Sequence, residues 1–257
     1  MREATSILTQ GAAQDRKSSP EIQRRMQEVK VMRLASPKVP TQKLAETPYL
    51  FGESRQTNKP YLLLPRHSSE NRRFLPLGYF TDEVICGDAN IMLLDASLYH
   101  FGILCSTFHN AWMRTVCGRI KSDYRYSNTI VYNNFPWPDT PSDKQQAIIE
   151  KAAQSILDAR KAEELRCAKQ GQACSLATLY APDNLPADLL KAHQALDKAV
   201  DAAYGYKGSK DDAARVAFLF GLYQQLVEAQ GQASLDEINP PTTEISIKPK
   251  RTKKSKA

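Results

Sequence analysis

Apolar residues at steps of three and four mark the first predicted element. Ile22, Met26, Val29 and Met32 share one face of a helix over EIQRRMQEVKVMRLA, and Pro37 and Pro40 end it. Its apolar stripe is thin, so this helix is expected to dock on another body or connect to one. From residue 48 the pattern shortens. The runs PYLLLPR, RFLPLGYF, DEVICGD, NIMLLDA and TIVYNNFPW are punctuated by Gly, Pro and Asn and predict strands. Within them SLYHFGILCSTFHNAWMRTVCGRI has helical spacing. Leu98, Phe101, Leu104, Phe108, Trp112 and Val116 line one face, Ser97 is the expected N-cap, and Gly118 stands where the helix should stop.

After residue 137 the pattern becomes purely helical. Ser142 opens a helix with Ile148, Ile149, Ala152 and Ile156 expected inward. A second has Leu189, Leu190, His193, Leu196 and Val200 in register. A third has Val216, Leu219, Phe220, Tyr223 and Leu226. The predicted class is α+β: a mixed α/β domain over 48–137 and a small helical bundle over 138–231. A basic helical segment over 1–47 precedes them, and a Pro- and Lys-rich tail over 232–257, expected to be disordered, follows.

The net charge of +7 changes this picture less than it first suggests. Six positive charges, Lys248, Lys250, Arg251, Lys253, Lys254 and Lys256, lie in the tail and leave +1 for the rest. Such a tail fits nonspecific phosphate affinity and a solubilising extension equally well. The five cysteines, Cys86, Cys105, Cys117, Cys167 and Cys174, are odd in number and form no CxxC pair. That spacing predicts free or buried thiols in a cytoplasmic protein rather than a disulfide framework or zinc site. No run of apolar residues approaches a membrane span, and MREATSILTQ lacks the apolar core of a secretion signal.

Catalytic motifs are missing from the sequence. There is no Gly-rich loop for S-adenosylmethionine, no P-loop, no nuclease constellation and no nucleophile elbow. NNFPWP at 133–138 has no adjacent Pro-Pro and reads as structural. His67, His100, His109 and His193 lack metal-ligand spacing, and His193 is expected in an interhelix core. Trp112, Trp137, Tyr204 and Tyr223 are expected to be core anchors.

The densest polar constellation is residues 112–138, WMRTVCGRIKSDYRYSNTIVYNNFPWP. After Gly118, the residues Arg119, Lys121, Asp123 and Arg125 alternate, which puts all four on one face of an extended strand. Lys donates to guanine N7 and O6, Asp accepts from the cytosine amino group, and Arg can bond guanine bidentately. The same alternation also fits a solvated edge strand whose charges prevent aggregation.

SLYHFGIL (97–104), AWMRTVCGRIKSDYRYS (111–127) and IVYNNFPWP (130–138) resemble the target recognition domain of the MmeI-like restriction–modification enzymes. The likeness extends to TQKLAETPYLFGE (41–53) and LLKAHQALDKAVDAAYG (189–205). In that family a nuclease, an adenine methyltransferase and a recognition domain are fused. The resemblance implies a recognition domain followed by a helical C-terminal domain. Base reading would fall to Lys121, Asp123 and Arg125. Phosphate contacts would come from Arg66, Arg72 and Arg73 in RHSSENRR, and from Arg114, Arg119, Ser122, Tyr124 and Ser127.

The sequence starts where the family's methyltransferase domain has just ended, so S-adenosylmethionine is expected on a partner or on a missing part, not on this chain. Double-stranded DNA and a methyltransferase polypeptide, with or without a nuclease, are the implied partners. Alternative readings are a protein-interaction or regulatory subunit, and a remnant of a truncated restriction–modification gene with only nonspecific DNA binding.

Overall fold

The computed structural model describes residues 11–52 and 57–238. The expected N-terminal decapeptide and most of the expected basic tail lie outside these residues. Residues 232–238, expected to belong to the tail, instead continue the last helix.

Two short helices, α1 (Gly11–Ser18) and α2 (Pro20–Leu34), open the described chain, followed by α3 (Val39–Lys43) and a 3-10 turn over Leu44–Glu46. Ser19 caps α2, and Pro20 at its first position costs no hydrogen bond. No residue of α2 is buried. The Arg33 guanidinium folds the segment back on itself, donating to the carbonyls of Leu44, Thr47 and Leu50. Val31, Met32, Leu34, Val39 and Phe51 are left exposed.

Two antiparallel three-stranded sheets follow. The first has β1 (Tyr61–Pro65) between β3 (Gly78–Phe80) and β4 (Asn90–Leu94). The second has β6 (Asp123–Arg125) between β2 (His67–Ser68) and β5 (Gly118–Ile120). The chain passes from one sheet to the other at Arg66. Its N–H donates to Ala89 O, next to the first sheet, and its carbonyl accepts from Tyr126 N, next to the second.

Three strand expectations need correction. DEVICGD forms turns, and its Val84 carbonyl accepts the Tyr61 hydroxyl. Of RFLPLGYF only the last three residues pair, because Pro76 has no N–H for a ladder and a tight Leu75–Leu77 turn surrounds it. TIVYNNFPW contains a π-helical turn, Asn128–Tyr132, which buries Val131 and offers its carbonyl to Trp112 Nε1.

The long helix expected after Ser97 is two helices, α4 (Leu98–Cys105) and α5 (Thr107–Val116). Ser97 caps α4 as expected, in a box with the His100 side chain. Ser106, in extended conformation, ends α4 and caps α5 with its hydroxyl. Asp197 completes the break from outside by accepting from Thr107 N at 2.7 Å and Thr107 Oγ1 at 2.6 Å. A carboxylate at a helix N-terminus also complements the helix dipole.

The remaining helices are α6 (Asp143–Lys169), α7 (Leu176–Leu179), α8 (Ala187–Ala203) and α9 (Asp212–Ile238). α6 and α8 pack on each other, and the C-terminal helices also pack on the preceding region. Ile149, Ile156, Leu196, Val200 and Leu219 share one core with Leu62, Phe101, Phe108 and Trp112. At Gly102 a Cβ would come within 2.8 Å of Ile149 Cγ2, so α4 depends on glycine to approach α6. Ile148, expected inward, is 48% exposed, and on α9 Leu226 is exposed and Phe220 is half-exposed although it packs on Trp112, while Arg215 and Leu219 are buried. The buried stripes are narrower than the periodicity implied: α6 packs on α4 and α8, and α9 packs on α5.

Candidate nucleic-acid interface

The segment expected as one charged strand is a hairpin. β5 and β6 pair with Gly118 opposite Arg125, Arg119 opposite Tyr124 and Ile120 opposite Asp123. Lys121 and Ser122 form the turn, and Lys121 adopts φ 55°, the left-handed conformation a two-residue hairpin often gives to glycine. The expected common face therefore breaks up. Asp123 and Arg125 share one face. Arg119 lies on the other, across from Tyr124, and Lys121 projects from the tip. Lys121, Asp123 and Arg125 are all exposed.

The hairpin is held rigidly at its root. Tyr124 and Tyr126 are buried. The Tyr126 hydroxyl meets His109 Nε2 at 2.9 Å, and His109 Nδ1 meets the Leu104 carbonyl at 3.0 Å. The carbonyl can only accept, so the imidazole proton is on Nδ1 and the tyrosine donates to Nε2. Complete burial pulls the His109 pKa down to about 3, which keeps the ring neutral. On the outer side the Arg119 guanidinium lies 4.1 Å over the Tyr124 ring and donates to Ser122 O at 2.8 Å. The turn is thus braced from both ends.

Glu70 joins this hairpin to the preceding arginine-rich loop. Its N–H donates to Asp123 Oδ1 at 3.2 Å, and its carboxylate lies 3.9 Å from Arg119. The loop is anchored by Leu75 N–H donating to Asn110 Oδ1, while Asn110 Nδ2 donates to the Cys105 and Ser106 carbonyls. Arg73 is exposed beside Phe74, and Arg72 is half-buried. Arg114 donates to the Arg73 carbonyl and pairs with Asp212 at 2.8 Å.

Among the residues expected to touch phosphate, the fold brings Arg72, Arg73 and Arg114 together around one cavity, beside Arg119 and Ser122. Tyr124 is core, with only its Arg119-covered edge near the surface. Arg66 and Ser127 lie past the inner end of β6, roughly 13–17 Å from the turn by strand rise, and Ser127 Oγ is engaged with Thr129 Oγ1. Sequence reasoning missed Glu70, Lys210 and Asp212. Glu70 sat unweighted among the arginines of RHSSENRR. Lys210 lies in a short polar connector and Asp212 opens α9, and both reach the interface only through the packing of α9 on α5.

This surface combines eight cations (Arg66, Arg72, Arg73, Arg114, Arg119, Lys121, Arg125 and Lys210) with three carboxylates, Glu70, Asp123 and Asp212. It can attract a polyanion and present donors and one acceptor at an exposed turn. No helix among the described residues is long and apolar enough to cross a membrane.

Comparison with known proteins matches residues 7–139 to the family model "MmeI, target recognition domain" and residues 141–230 to "MmeI, C-terminal domain". The chain is 38% identical over 212 residues to DNA methyltransferase A of Bacillus subtilis (strain 168), which covers 82% of this chain and 23% of that protein. Among solved structures it resembles the Type IIL restriction-modification enzyme MmeI in complex with DNA. The TM-score is 0.74 and the identity 44%, over 82% of this chain and 27% of that one. The chain therefore spans about a quarter of the length of each.

Proposed function

We propose that this chain, which belongs to the family of MmeI target recognition and C-terminal domains, reads DNA sequence for an adenine-N6 methyltransferase of a restriction–modification system. The observation that carries the reading is the β5–β6 turn. It exposes Lys121 and Asp123 two residues apart on a hairpin fixed at its root by Tyr126 and His109. A lysine there donates to guanine N7 or O6, the aspartate accepts from the cytosine amino group, and Arg125 adds a second guanine reader on the Asp123 face. Each good bidentate contact is worth roughly 1–3 kcal/mol of discrimination. Asp123 spends one lone pair on Glu70 N–H and keeps capacity for a base.

Arg66, Arg72, Arg73, Arg114, Arg119, Ser122 and Ser127 are the proposed backbone contacts, which set register without reading sequence, while buried Tyr124 supports Arg119 from beneath. Methyl transfer belongs to a methyltransferase part that holds S-adenosylmethionine, with a nuclease as a further partner, and the setting is the cytoplasm. The exposed apolar residues of the segment 1–47, Val31, Met32 and Leu34 among them, support docking of that arm on the methyltransferase part.

The test selects binding sites from a randomised duplex pool at moderate salt, with and without S-adenosylmethionine present. The unaltered chain should enrich one sequence and bind no cofactor. The double variant Lys121→Glu, Asp123→Arg should move the preference at one position from G·C toward C·G, because donor and acceptor change places. An unchanged preference would remove the pair as readers. Binding without preference that vanishes when residues 246–257 are deleted would favour an incidental, tail-driven contact instead.

A further inference from the structure

Beside the hairpin lies a cavity of about 330 Å³, lined by Arg72, Arg73, Arg114 and Lys210 and by the carboxylates of Glu70 and Asp212. That is room for on the order of ten water molecules at liquid volume. Asn71 and Thr107 complete the wall, and no aromatic side chain faces in, so the site does not suit a base.

Its charges are incompletely balanced within the protein. Asp212 is committed to Arg114, and the Glu70 carboxylate faces Arg119 in the hairpin. Lys210 and Arg73 make no ion pair among the described residues, and Arg72 has a buried Nε–H without an acceptor. Buried donors in native proteins are nearly always satisfied, so an unpaired one beside surplus cations points to a missing acceptor with negative charge. The walls come from two distant stretches of chain. Loop 70–73 and Arg114 belong to the part matching the recognition domain, whereas Lys210 and Asp212 belong to the part matching the C-terminal domain. Arg215, buried on α9, donates to the Lys210 carbonyl and to Asp201, which fixes the connector that presents Lys210.

We propose that this cavity seats one phosphate of the DNA backbone, held jointly by the arginine loop and by Lys210 of the C-terminal region. A phosphodiester brings one negative charge shared over two oxygens, which suit the forked donors of arginine with a lysine as a point charge. Glu70, shared between cavity wall and hairpin, sets the seat beside the reading turn, so that a seated phosphate fixes the register of Lys121 and Asp123 on the bases. The inference rests on the DNA-reading function proposed above.

The test uses the full chain and its variants Lys210→Ala and Arg73→Ala. Both side chains are exposed, and the carbonyls used by Arg215 and Arg114 are kept, so melting temperatures should match the unaltered chain. Each variant should lower the slope of log affinity against log salt by about one, equally for all sequences, and leave the preferred sequence unchanged. An unaltered chain that stays selective, with both variants keeping its salt slope, would overturn the seat and leave the reading function standing. An unaltered chain with no selectivity would sink the reading, and the seat with it. Inorganic phosphate, followed by thermal melting, separates the sources. Stabilisation lost in Lys210→Ala, together with an unchanged DNA salt slope, would reassign the cavity to free phosphate and overturn the proposal.

Discussion

The His193 ring lies face to face with Phe74, centroids 3.9 Å apart, and its Nε2 is 2.8 Å from the Tyr180 hydroxyl. That hydroxyl already accepts from Arg160 Nε and Nη2, so its only proton points at His193. The imidazole must then carry its proton on Nδ1, which is buried without a partner. Burial, followed by the charges of Arg160 and Arg73, pulls the His193 pKa down to about 3, and burial does the same to His109. Both rings are neutral when folded and bind protons near the ordinary value of 6.5 when unfolded. Between those values the unfolded chain holds more protons, so stability falls as pH drops from 6.5 toward 3 and is flat above it. Each ring should remove about 1.4 kcal/mol per pH unit across that window. At pH 5 the pair should have removed roughly 4 kcal/mol. Asp197, whose buried carboxyl titrates above the usual range, works in the opposite sense at lower pH. Urea midpoints at pH 7 and pH 5 should show the loss, and neither ring should titrate by NMR above pH 5. Titration of either ring near pH 6 would refute the account.

At the scale of elements, the hairpin shows why an alternating charge pattern misleads. Arg119, Lys121, Asp123 and Arg125 have the period of a strand, but period two cannot distinguish one seven-residue strand from two short strands with a turn between them. The distinguishing feature is Lys121 at φ 55°, and nothing in a lysine announces a left-handed turn. The break between α4 and α5 was hidden for a related reason. Leu98 to Val116 keep helical spacing through Ser106, and the acceptor that stabilises the break, Asp197, lies 90 residues away. By contrast Ser97, Ser142, His193 and Trp112 were legible, because caps and apolar periodicity are local. The left-handed lysine supplies a prediction. A non-glycine residue there costs about 1 kcal/mol. Lys121→Gly should therefore hold or raise the melting temperature while relaxing base preference at one position. Circular dichroism melts and pool selection measure the two effects separately. A melt lowered by several degrees would mean that the lysine side chain supports the fold and is not held for reading.

At the scale of the whole molecule, the two stretches that match separate family domains are joined by more than proximity. The boundary near residue 140 is crossed by the shared core, by Thr107 bonding Asp197, by Tyr204 donating to Pro136 O, and by the Arg114–Asp212 pair. Arg160 is the deepest of these links. From α6 it donates to Leu77 O at 2.6 Å and twice to Tyr180, with Phe101 and Tyr180 rings facing its charge. No local pattern marks it, since an arginine in a long polar helix reads as solvent-facing. A core continuous across the boundary should unfold as one unit. Both tryptophans, Trp112 and Trp137, precede the boundary, whereas the long helices α6, α8 and α9 follow it. Far-ultraviolet circular dichroism therefore weights the second side, and the fluorescence of Trp137, whose ring partners all precede the boundary, reports the first in a Trp112→Phe background, since Trp112 touches α9. Their urea transitions should coincide. Arg160→Ala should shift both together by roughly 3 kcal/mol, since it strands the Leu77 carbonyl and removes both donors to the Tyr180 hydroxyl oxygen, which keeps only its bond to His193. Resolved transitions, with only the helical signal moving in Arg160→Ala, would show two independent domains. Lys210 would then be no fixed partner for the arginine loop.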